Sequence, residues 1–144
     1  MYNTIMKEAS VRDAGSTFRR RLGDLRAGLL RLHKALLDAE QISYERIHGR
    51  VDSPGQLLHL VMKDPWFTWL LPLSKLVVRI DEILDDDDPS ADEARTILTQ
   101  VQTLLKPSEH GEGFERNYYE ALQRAPDVVL AHAGVKKLLA TASR

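Results

Sequence analysis

Residues 18–36, FRRRLGDLRAGLLRLHKAL, place Phe18, Leu22, Leu25, Leu29, Leu32 and Leu36 at intervals that alternate between four and three. That repeat is one face of an α-helix, and nowhere along the chain does a clean residue-by-residue alternation bounded by hairpin turns compete with it. Tyr44, Ile47 and Val51 prolong the same face and Gly49 supplies a stop, so a first helix is expected over about residues 16–48. The strict heptad spacing also suits a seam between two copies, which makes a homodimer the expected assembly. Gly28, inside this helix, costs about 1 kcal/mol against alanine, so it reads as a place where another helix comes close.

Downstream the same period continues with breaks. Ser53-Pro54-Gly55-Gln56 has a capping serine, a proline suited to the first helical position and a glutamine three residues on. Asp64-Pro65 repeats the cap-plus-proline start, Pro72 interrupts again, and a stripe from Leu73 to Leu84 resumes. We read residues 54–84 as one long, proline-kinked element, folded antiparallel to the first helix by the short connection at residues 49–53. Asp85-Asp86-Asp87-Asp88-Pro89 ends it, and Ser90-Ala91-Asp92-Glu93 is a capping box opening the next helix. Lys106-Pro107 and Ala125-Pro126 delimit two more. The expected fold is all-α, a helical bundle of about five helices in one domain over residues 1–144, with residues 1–11 as a flexible arm.

Composition narrows the function classes. With 144 residues, 43% apolar and 28% charged, the chain is long enough to bury a core without staples. It has no cysteine, which excludes disulfides, thiolate zinc sites and cysteine nucleophiles. The first residues lack the apolar core of a signal peptide, and the most apolar window, residues 66–84, is broken by Pro72, Lys75, Arg79, Asp81 and Glu82. A soluble, cytoplasmic protein is expected. The net charge is −1 but bipolar: residues 12–34 carry seven cations against two acids, and residues 81–93 carry eight acids and no cation. Mutual attraction of these two regions, within or between subunits, is the expected meaning. Weak nucleic-acid or anionic-surface binding through Arg12, Arg19, Arg20, Arg21 and Arg26 is the alternative.

One candidate site emerges. The kink between Pro65 and Pro72 holds both tryptophans, Trp66 and Trp69, together with Phe67. On a helical wheel Glu40 falls in the middle of the apolar face of the first helix, with His33 and Tyr44 beside it, and a carboxylate there must find a donor or raise its pKa. Antiparallel pairing about Val51 sets Glu40 near Lys63 and His33 near Leu70. The functional reading is a small-ligand pocket walled by Trp66, Phe67 and Trp69 and furnished with His33, Glu40 and Tyr44; the structural reading is a satisfied polar trio or a pair of Glu40 with Lys63. Glu45-Arg46-Ile47-His48 has the Glu-x-x-His spacing of di-iron bundles in a single copy, so no metal is expected. The four aspartates lack the spacing of a calcium loop, and His132 reads as a satisfied core histidine. No catalytic motif is present and no cofactor is expected. The expected role is therefore binding, as a protein-interaction or regulatory module that is homo-oligomeric, with a ligand- or metal-binding bundle as the rival.

Overall fold

Caps and prolines set the helix boundaries. The computed structural model describes residues 2–142, and side chains from residue 17 to 142. Seven helices follow in order: α1 (Tyr2–His48), α2 (Pro54–Lys63), α3 (Pro65–Thr68), α4 (Leu71–Asp85), α5 (Ala91–Leu104), α6 (Phe114–Arg124) and α7 (Pro126–Ala142). No strand occurs among the described residues. α1 starts at Tyr2, upstream of the expected start near residue 16. The flexible arm expected over residues 1–11 falls where side chains lie outside the described residues.

The kinked element is three helices rather than one, which turns the expected five into seven. Asp64 is extended (φ −87°, ψ 129°), and its carboxylate accepts from the Trp66 amide at 2.9 Å, so α2 ends and α3 begins at one residue. Pro65 and Pro72 each occupy a first-turn position, where the missing N–H costs nothing. Ser53 accepts from the Gln56 amide at 3.1 Å, while the Gln56 side chain accepts from Asp52 N–H at 2.9 Å, one residue before the expected partner. Ser90 and Glu93 form the full capping box. Gly49 closes α1 with a φ of +86°, a left-handed conformation that glycine adopts without strain.

α1, α4, α5 and α7 form an antiparallel bundle. α1 packs most extensively on α7 and next on α4, and α5 closes the ring against α4 and α7. The expected leucine stripe is the core: Leu22, Leu25, Leu29, Leu32 and Leu36 are buried, facing Leu73, Val77 and Ile80 of α4 and Val135 and Leu139 of α7. Gly28 lies under α7 as a close approach requires, since a β-carbon there would sit 2.8 Å from Leu138 Cδ1 and 3.4 Å from Val135 Cγ2. α6 reaches across one end, with Phe114 against Trp69 and Arg124 paired with Glu40.

A polar column at heptad spacing runs beside the leucines on α1 and fixes the register with α3 and α4. Arg19 donates to the Leu84 carbonyl at 2.9 Å and to that of Asp86; Arg26 pairs with Asp81; His33 shares a hydrogen bond of 2.9 Å with Ser74; the Glu40 carbonyl accepts from the Trp66 indole at 3.3 Å. His33 therefore faces Ser74 instead of Leu70, and Glu40 faces Trp66 instead of Lys63, a slip of about one helical turn. The cause is α2, which swings out of the hairpin, buries none of its residues and leaves α3 and α4 to pair with α1.

Candidate functional site

Among the described residues Glu40 is the one buried charged residue, 7% exposed. Its carboxylate receives a charge-assisted hydrogen bond from the Arg124 guanidinium, brought by the last turn of α6. Burial pushes the Glu40 carboxyl up; Arg124 opposes that, and the neighbouring Glu120 adds to it. Lys63, the partner expected from a tight hairpin, is exposed on α2 and takes no part.

Around this pair the rings close up. Tyr44 lies 5.7 Å from Trp66, edge to face, and 5.4 Å from Phe67, and the His48 ring lies 4.5 Å from Tyr44 and 5.6 Å from Trp66. These are contact distances for aromatic pairs, so the rings fill the space between α1 and α3. Four of the six expected residues, Glu40, Tyr44, Trp66 and Phe67, thus come together. His33 sits apart, bonded to Ser74, and burial holds its pKa below the usual imidazole range. Trp69 turns to the other side, 5.3 Å from Phe114, which in turn lies 5.5 Å from Tyr118.

Tyr118, fully buried, shares a hydrogen bond with His132 Nδ1. Burial pushes the phenol up and lowers the imidazole, with Lys136 also lowering it, so the bond joins a neutral phenol and a neutral ring. His132 is satisfied, as expected. Among the described residues no buried side-chain nitrogen or oxygen lacks a partner. The polar inset around Glu40 is a closed, hydrogen-bonded packing unit, and chemistry by it would first require it to open.

Glu45 and His48, the isolated Glu-x-x-His pair, go separate ways: Glu45 accepts from the Val51 amide at 3.2 Å, and His48 packs on Tyr44 and Trp66. No group of three or more histidines, aspartates or glutamates able to hold a metal gathers among the described residues. Nor is any helix of the described residues long and apolar enough to cross a membrane. Of the basic face, Arg19 and Arg26 are engaged with the second half of α4 and the loop after it, while Arg12 lies outside the described side chains. The chain matches no family model, no curated protein and no solved structure.

What the residues do expose is elsewhere. α2 carries Leu57, Leu58, Leu60, Val61 and Met62 within ten residues; Leu57, Leu60 and Val61 are half-buried, and none of the five is fully buried. Leu58 is 63% exposed and Met62 55%, and at the end of α1, Ile47 is 69% exposed. A helix with that composition ordinarily turns its apolar stripe to a core. The wheel reading missed Arg124, because five inter-helix connections separate it from Glu40, and missed the exposure of α2, because an apolar stripe looks the same whether it faces its own core or another surface.

Proposed function

We propose that the protein acts by binding another protein surface through α2 and the adjoining end of α1, and that a second copy of the chain is that surface in a homodimer. The observation that carries the reading is the ten-residue, mostly apolar α2 with no buried residue. Single exposed hydrophobics are ordinary, but Leu58 and Met62 stand one turn apart beside the half-buried Leu57, Leu60 and Val61, a grouping of the kind that marks an interaction site. Ile47 at the end of α1 is exposed as well, and the exposed charges Arg46, Arg50, Asp52 and Lys63 flank these apolar residues in sequence.

Light scattering after gel filtration tests it. The chain should elute as a dimer, and Leu58→Asp with Met62→Asp should give a monomer of unchanged helicity, because neither side chain supports the core. A wild-type monomer at about 100 μM, well above the micromolar range of weak dimers, would remove the reading.

A further inference from the structure

We propose that the cleft between α5 and α7 binds a small organic anion, a carboxylate or phosphate carrying a short apolar body. The cleft is open to solvent and offers about 720 Å³, within the range of small-molecule sites. From α5, Thr99 and Thr103 line it on successive turns, with Lys106 just past the end of that helix; from α7, Lys136, Leu139 and Ala140 face them. Leu105 and Pro107 complete an apolar floor. The opening exists because small or hydroxylated residues, Thr99, Thr103 and Ala140, stand where two packed helices would ordinarily interdigitate leucines.

Its charge is of one sign. Among the described residues two lysines and no carboxylate line it, and neither lysine has an acid within ion-pair distance. Lys106, just past the end of α5, also complements that helix's negative end, but Lys136 is in the middle of α7 and has no such role. Two exposed lysines and two threonines that share one lining with the buried side chains of Leu105 and Leu139 match an anionic head joined to a hydrocarbon body. A neutral apolar ligand would gain nothing from either ammonium group. The cleft shares no residue with α2, so this proposal and the dimer reading fail independently.

Titration calorimetry of the full chain with octanoate, octyl phosphate and octanol tests it, with amide shifts from NMR locating the site. One equivalent of octanoate or octyl phosphate should bind, more weakly as salt rises, and octanol at least about ten-fold less tightly. The tighter of the two anions identifies the head group. Lys106→Gln and Lys136→Gln, both at exposed positions, should each weaken anion binding by about five-fold. Ala140→Leu, which fills the cleft, should abolish it while circular dichroism stays helical. Octanol binding as tightly as octanoate, anion binding unchanged in both lysine variants or in Ala140→Leu, or no anion binding at all would overturn the proposal.

Discussion

Glu40 makes the protein's stability depend on pH in a direction opposite to that of a typical paired carboxylate. Burial outweighs the attraction of Arg124, so the folded chain holds the Glu40 proton to a higher pH than the unfolded chain, where a glutamate titrates near 4.3. Between those two values the folded state binds the extra proton, and this group's contribution to stability falls as pH rises through the window. Below the unfolded value the cost of ionisation is absent; above the folded value it is present in full. Glu40→Gln keeps the shape and removes the ionisation. In urea unfolding, the stability advantage of the wild type over Glu40→Gln should therefore be larger at pH 4 than at pH 7; a difference that does not change with pH would mean that the carboxyl is not held up. Arg124→Gln acts the other way, stranding the carboxylate. Breaking a fully buried pair costs about 3–5 kcal/mol, but the Arg124 side chain remains 38% exposed, so the expected loss at pH 7 is about 1–2 kcal/mol.

Two elements, α1 and α7, meet at Gly28, and the geometry there separates two effects. Alanine in a helix interior gains about 1 kcal/mol over glycine. Its β-carbon would stand 2.8 Å from Leu138 Cδ1, the far end of a flexible side chain that has room to turn aside. Gly28→Ala should thus change stability by less than about 1 kcal/mol, whereas Gly28→Leu has to push α7 away and should cost about 2–3 kcal/mol, measured by thermal or urea unfolding. A Gly28→Leu variant as stable as the wild type would show that α7 does not lie on α1. A close helix approach at Gly28, though not α7 as its partner, the leucine seam and the caps at Ser53, Asp64 and Ser90 were legible in the sequence because each shows in residues within one or two turns. The partners of Glu40 and His33 were not. Arg124 comes from a helix whose placement is decided by tertiary packing, and Ser74 faces His33 only because α2 leaves the hairpin, a slip of one turn that no local pattern encodes. The same residue types that spelled a pocket at the tryptophan-rich kink, three rings and a carboxylate, pack against one another when two helices approach at contact distance.

For the molecule as a whole, α2 is the part whose stability is not guaranteed by the bundle. α1, α4, α5 and α7 share one continuous core, whereas α2 contributes no buried residue to it and rests mainly on α3. Isolated helices of ten residues are marginal in water, since nucleation is costly and only packing repays it. Local opening free energies follow buried contact, so the α2 amides should exchange with solvent far faster than those of α4 or the middle of α1 when the protein is dilute. If a second copy covers α2, raising the protein concentration must slow exchange in residues 54–63 and at the end of α1 while leaving the core unchanged, because only the dimer protects those amides. Hydrogen exchange read by mass spectrometry at about 1 μM and about 200 μM compares the two regimes, bracketing the micromolar affinities of weak dimers. Protection that follows concentration would tie the exposed leucines to self-association. Slow exchange in α2 at both concentrations would show instead that the chain stabilises this helix by itself, and fast exchange at both would leave the apolar face to a different partner.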